Sequence, residues 1–143
     1  MAIGLSTAAA NTLLDSGIGA AFDGANDILE IRSGTRPVAG ATLAADEAPT
    51  GTVLASFTLV TDSFAAASAG TIVGATPWTE ASAPAAGTAS WFRLKQSTDT
   101  GVYSTTEIRI DGDVAAAGSD LNLSTIAIAI ADQVTITQFD LSA

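Results

Sequence analysis

The sequence predicts a mainly β protein, an antiparallel β-sandwich or jelly-roll-like barrel with one short N-terminal helix. Three observations lead to this class. Short alternating apolar segments recur along the chain after residue 27, glycine- and proline-containing turns separate them, and the best helical pattern lies at the start. The length of 143 residues fits a single domain (1–143), with an N-terminal helix or arm (1–26) and a β domain (27–143).

The predicted helix covers residues 6–16. A serine or threonine at its start can cap it, alanine favours the helical state, and Gly17 follows where the helix would stop. Leu13 and Leu14 belong to its apolar face. We therefore expect this segment to pack on, or reach out from, the β domain.

The predicted strands follow from alternation and from the turns that interrupt it. Asp111-Gly112-Asp113 is predicted as a tight turn, and residues 38–51 as a long surface loop. The final hairpin is predicted with an irregularity near Gln138 that would let Phe139 and Leu141 pack inward. The predicted strands are 28–32, 52–60, 71–73, 88–95, 105–110 and the two arms of that hairpin, which begin at Ile126 and Val134.

Composition excludes several classes of function. Fifteen acidic residues face five basic ones, giving a net charge of −10, so binding to nucleic acid or to anionic lipid is not expected. Much of the apolar content is alanine, which predicts a thin core. The start has no secretory signal pattern and no apolar run is long enough to span a bilayer, so we expect a soluble protein made in the cytoplasm.

The sequence offers little reactive chemistry. Cysteine and histidine are both absent, which removes Ser-His and Cys-His nucleophiles and the common zinc sites. Asp111 and Asp113, with Asp120 nearby, could ligate calcium, but Asp and Gly also suit a turn, and the turn is favoured. No pair of carboxylates stands out for glycoside hydrolysis. We therefore predict no enzyme activity, no cofactor and no metal site.

Candidate interface residues are Leu5, Leu13, Leu14, Arg36 and Trp78. For Trp78, which follows a proline in a predicted loop, a core position and an exposed contact position both stay open.

Trp91 lies in a predicted strand beside Phe92 and is expected to be a buried anchor. Because cationic residues are so few, each of the five is expected to pair with a carboxylate.

Several segments together resemble a family of small virion structural proteins of tailed bacteriophages. The likeness covers most of the chain, residues 61–87 being its least distinctive part. The segments are MAIGLSTAAANTLLDS at the start, ILEIRSGTRP and APTGTVLASFTL, GTASWFRL, and RIDGDVAAAGSDLNLS with VTITQFDLS at the end.

The resemblance implies a structural protein assembled onto the particle in the host cytoplasm. We expect a decoration or cement protein on the capsid exterior, with the major capsid protein as its partner and self-association, for example as a trimer. Residues 1–16 and the edge strands are the expected contact regions. The alternatives are a tail, collar or fibre component, and a carbohydrate- or calcium-binding module.

Overall fold

The structure, a computed structural model, describes residues 6–8, 14–22, 26–38 and 44–142. Within these ranges the chain is mainly β, as predicted, with a short helical segment near the N-terminus. The strands are β1 (Ile28–Ser33), β2 (Val53–Thr58), β3 (Thr71–Val73), β4 (Trp78–Glu80), β5 (Gly87–Lys95), β6 (Arg109–Ala115), β7 (Leu121–Leu123), β8 (Ala127–Ile128) and β9 (Val134–Ser142).

These strands form one large sheet that curls into a half-barrel. Its order is β2-β1-β5-β6-β7-β9-β3, with β4 added beside β9 and β8 beside β5. Every pairing is antiparallel except that of β6 with β7, which is parallel and makes the sheet mixed. The sequence pattern could not reveal this pair, because β7 is only three residues long.

Strand β9 organises one side of the half-barrel. It pairs with β7 along one edge, and with β4 and β3 in succession along the other. The register with β7 shifts between Gln138 and Ile136, and Phe139 and Leu141 are buried, which confirms the predicted irregularity near Gln138. The predicted hairpin is wrong, because β8 shrinks to two residues and pairs with β5 instead of β9.

The apolar core lies inside the curl. Its centre is a group of ring contacts, in which Phe139 packs against Phe92 with ring centroids 5.1 Å apart and against Trp78 at 6.0 Å. Gly112 leaves room for this packing, since a Cβ atom there would lie 2.4 Å from the Phe92 ring. The Phe92 ring therefore packs in the space that Gly112 leaves on the neighbouring strand.

Other local predictions also differ from the structure, among them the strand 105–110, which the structure places at Arg109–Ala115. The N-terminal segment includes a π-helical turn, Leu14–Gly19, so Gly17 lies within the helical segment and does not end it. Asp111-Gly112-Asp113 lies in the middle of β6 and makes no turn, because the alternation of a strand turns Asp111 towards Arg93 and Gly112 towards Phe92. Of the predicted helix 6–16, residues 9–13 lie outside the described residues.

Candidate protein-binding surface

The face of β1, β5 and β6 that points away from the apolar core carries a layer of ion pairs. Arg93 donates two hydrogen bonds to the carboxylate of Asp111, both 2.7 Å long, and neither side chain is more than 4% exposed. On the neighbouring strand, Glu30 accepts from Arg32 at 2.8 Å and from Lys95 at 2.6 Å. Side chains that usually lie in water are thus enclosed in this fold, and the planar two-bond geometry of the arginine pair suits that enclosure.

Arg109 extends this layer at the end of β6. Its guanidinium bonds Asp99, 2.5 Å away, and also contacts Glu107, and its side chain is 1% exposed. The hydrogen bond with Asp99 raises the pKa of Arg109, so this cation is held in its charged form. Arg109 thereby links the connecting segment 96–108 to the sheet through its ion pairs.

Residues 44–51 cover the layer of ion pairs formed by Glu30, Arg32, Arg93, Lys95, Asp99, Glu107, Arg109 and Asp111, which we call the ionic layer. Their backbone carbonyls accept hydrogen bonds from three guanidinium groups: Arg109 reaches Ala45 and Asp46, Arg93 reaches Glu47, and Arg32 reaches Thr50 and Gly51. The predicted surface loop is therefore hydrogen-bonded to the sheet over much of its described length. Arginine suits this role because its five donors can serve a carboxylate and a carbonyl at once.

Trp91 is buried within the ionic layer, with 1% of its surface exposed. The guanidinium carbons of Arg32 and Arg93 both lie 5.7 Å from its ring centroid, and its indole nitrogen donates to the carbonyl of Ser33. Its burial was predicted. Its neighbours were not, because the alternation of β5 turns it away from Phe92 and towards the arginines.

Two carboxyl groups of this layer have pKa values below their ordinary ones. Burial raises the pKa of Glu30, but the hydrogen bond from Lys95 and the positive charge of Arg32 outweigh that effect. Burial likewise raises the pKa of Asp99, and the hydrogen bonds from Arg109 and from the Gly101 amide reverse the shift. Both groups therefore stay ionised into mildly acidic solution.

This layer of ion pairs includes most of the cationic residues and one of the candidate calcium ligands named in the sequence analysis. Each of the five cations pairs with a carboxylate, as predicted; the fifth, Arg36, lies 3.7 Å from Asp113 at the surface. Asp111 is held by Arg93 and so is not free to bind calcium. Within the described ranges, no group of three potential ligands is arranged to hold a metal ion.

The five candidate interface residues are not brought together. Leu5 and Leu13 lie outside the described residues. Leu14 is 3% exposed and belongs to the apolar core, so it is not accessible to a partner. The Arg36 side chain is 39% exposed, and half-buried Trp78 lies at an opening of the half-barrel.

That opening lies between β2 and β4, and we call it the seam groove. Residues 56–60, Ser63 and residues 77–80 line it, and its volume is about 380 Å³. Strand β2 ends the sheet order, so one of its two edges is hydrogen-bonded to no other strand among the described residues. The groove is therefore bordered by a strand edge, a feature that the sequence could not reveal without the strand order.

The backbone of β2 has a definite alternation at this edge. The Leu59 amide donates to the Asp27 carbonyl at 2.7 Å, which turns Leu59 towards β1. Because antiparallel neighbours alternate in direction, the N–H and C=O groups of Ser56 and Thr58 point away from β1 and into the groove. No bond to them is found within the described parts of the chain.

Strand β4 borders the groove from the other side. The Thr135 carbonyl accepts from the Ser124 amide, so Thr135 faces β7 and makes no ladder bond to its opposite residue, Thr79. The N–H and C=O of Thr79 consequently point outward, towards β2. No bond to them is found among the residues that the structure describes, so unpaired backbone groups border the groove on both sides.

The opposite end of the sheet is closed. Beside β3, the Ala65 amide donates to the Val73 carbonyl, and Ser68 and Thr71 exchange two backbone bonds. Residues 64–68 therefore cover the outer edge of β3. The contrast marks β2 as the exposed edge, and residues 52–60 contain neither a charged residue nor a proline to protect it.

Comparison with known proteins gives no match: no family model, curated protein or solved structure resembles the chain significantly. Among the described residues, none of the helices has the length and apolar character needed to cross a bilayer.

Proposed function

We propose that this chain is a virion structural protein of a tailed bacteriophage, a decoration or cement protein that binds the major capsid protein on the outside of the shell. The sequence likeness to small phage virion proteins motivates the assignment. One structural observation supports it, namely the distribution of charged side chains between the interior and the surface.

All five cations are engaged in ion pairs, and four of them have side chains no more than 14% exposed. With ten more acidic than basic residues in the chain, the outer surface is strongly acidic. Such a surface repels packaged DNA and anionic lipid, and it keeps a protein present in many copies soluble. These properties suit the exterior of a particle and a role in binding protein.

The assignment is tested by counting copies of the protein in purified particles, by quantitative mass spectrometry against the major capsid protein. A ratio of one to one, or a simple fraction such as one to three, is expected for a lattice-binding protein. A ratio below about one to twenty would instead support a tail, collar or fibre component. Absence from particles would contradict both assignments.

A further inference from the structure

We propose that the seam groove binds an extended segment of a partner protein as an added strand on the outer edge of β2, and that this segment carries Lys or Arg beside a short uncharged stretch. The inference deepens the proposed function by naming the contact surface, and it rests on that function only for the identity of the partner as the capsid protein.

The first argument is the set of backbone groups that need partners. Ser56 and Thr58 on β2, and Thr79 on β4, direct N–H and C=O groups into the groove. An extended peptide laid beside β2 would pair with the first two residues in the manner of β-augmentation. Such main-chain bonds provide affinity for many sequences, while the side chains beside the groove select among them.

The second argument is the width of the groove, which favours a lone strand over the edge of another sheet. Some Cα atoms of β2 and β4 lie within 8 Å of each other. A strand seated between them needs about 4.8 Å on each side, or roughly 9.6 Å in total. An incoming strand therefore pairs with β2 and displaces β4 by at least about 1.6 Å. Because β4 has three residues and is paired only with β9 along its length, it is the element that can move.

The third argument is side-chain chemistry. Val60 is 66% exposed beside the groove, and half-buried Trp78 lines it, so apolar contact area is available. On its other side Trp78 packs against Phe64 and Phe139, with ring centroids 6.2 and 6.0 Å away. An aromatic side chain at the margin of a groove is a common anchor for a bound segment.

Charge decides between the possible occupants. Glu80 lines the groove, and no cation within the described ranges forms an ion pair with it. A second copy of this chain has the same charge of −10 and would be repelled as it approached. A segment with basic residues beside its uncharged stretch is attracted, so we assign the groove to a different protein with that composition.

Amide hydrogen exchange of the isolated protein tests the free edge directly. The amides of Ser56, Thr58 and Thr79 should exchange quickly, whereas those of Phe57 and Leu59, which face β1, should be protected. Protection of the first three at every protein concentration would overturn the proposal. Protection that increases with protein concentration would show that a second copy occupies the groove, and would overturn the assignment to a different partner.

The occupant is tested by selecting binders for the full chain from an array of random twelve-residue peptides. The expected binders have alternating β-branched residues flanked by Lys or Arg, and they protect the Ser56 and Thr58 amides. Thr58→Pro removes an outward N–H without breaking a bond to β1, so it should weaken binding at least about tenfold, whereas Thr58→Val, which keeps the N–H, should bind like the wild type. Glu80→Lys, on the groove margin, should weaken binding of the basic peptides about two- to fivefold.

Binders with acidic flanks, binders indifferent to both Thr58→Pro and Glu80→Lys, or the absence of any binder would overturn the proposal. If Thr58→Pro fails to fold, the Glu80 variant and the exchange pattern still decide the question. A negative result in the peptide experiment does not affect the copy number expected in particles. Absence from particles, in turn, does not contradict peptide binding at the groove. The two proposals can therefore fail separately.

Discussion

Removing one partner of the Arg93–Asp111 pair should severely destabilise the protein. In Asp111→Ala the guanidinium of Arg93, whose side chain is 1% exposed, loses both of its 2.7 Å bonds to the carboxylate. It keeps its 2.8 Å bond to the carbonyl of Glu47 and its contact with the Trp91 ring. A buried charge left without its counterion costs about 3–5 kcal/mol, a large share of the roughly 5–15 kcal/mol by which domains are stable.

The assay is urea unfolding followed by tryptophan fluorescence, to which the buried Trp91 contributes. With a urea slope of about 2 kcal/mol per molar, the midpoint should fall by roughly 2 M. Arg36→Met is the matched control, because it also breaks an arginine–aspartate pair, but one that is 3.7 Å long and partly exposed. A change of at most about 1 kcal/mol in the free energy of unfolding is expected there.

The double variant Arg93→Met with Asp111→Leu separates burial of charge from loss of packing. It removes both charges and fills the space with apolar atoms, so it should be within about 2 kcal/mol of the wild type and more stable than Asp111→Ala. If Asp111→Ala costs no more than Arg36→Met, the ionic layer is not shielded from water and the reasoning is refuted. If the double variant is as unstable as the single one, the cost lies in packing and not in the unpaired charge.

Two further predictions concern acid stability and glycine. Because the folded-state pKa values of Glu30 and Asp99 lie below their ordinary values of 4.5 and 3.8, the unfolded chain binds more protons in acid; their contribution to stability is present above those values and is lost as pH falls below them. Melting temperatures measured from pH 7 to pH 3 should therefore drop in this window, and a flat profile would contradict the assignment. Gly51→Ala should cost more than about 3 kcal/mol in chemical denaturation, because the backbone is left-handed there and the new Cβ would lie 1.8 Å from the Ser33 carbonyl oxygen. Gly118→Ala, equally left-handed but with open space around it, should cost only about 1–2 kcal/mol, and equal losses in the two variants would show that the close contact is not the cause.

The strands with clear alternation could be predicted from sequence, and those defined by long-range pairing could not. The segment 71–73 is found as predicted, and the long central strand differs by one residue at its start. Strand β4 was missed because three residues after a proline give no period to detect. The failure at residues 111–113 has a different cause, since local turn preference yields there to a buried arginine and a phenylalanine ring on the adjacent strand.

The candidate binding surface was harder to predict, for a physical reason. Trp78 was selected as a contact residue from its proline-containing context, and it does line the seam groove. What makes the groove a candidate site is the unpaired edge of β2, and an edge exists only once the strand order is known. Leu14 shows the converse, because a place on the apolar face of the predicted helix fits packing on the β domain as well as contact with a partner, and the structure encloses it in the core.

The ionic layer and the seam groove both affect the stability of this protein, alone and with a bound partner strand. Alternation along β5 divides the sheet into an apolar face, with Phe92 and Leu94, and an ionic face, with Arg93 and Lys95. Buried ion pairs contribute less stability than an apolar layer of equal volume, so a fold that relies on them should have little stability in reserve. A partner strand that fills the seam adds backbone bonds and apolar burial to the folded state alone, and its binding therefore raises the stability of the folded state by mass action. We accordingly expect a peptide bound at β2 to raise the melting temperature of the wild type but not that of Thr58→Pro. A rise of equal size in both would mean that the ligand binds elsewhere.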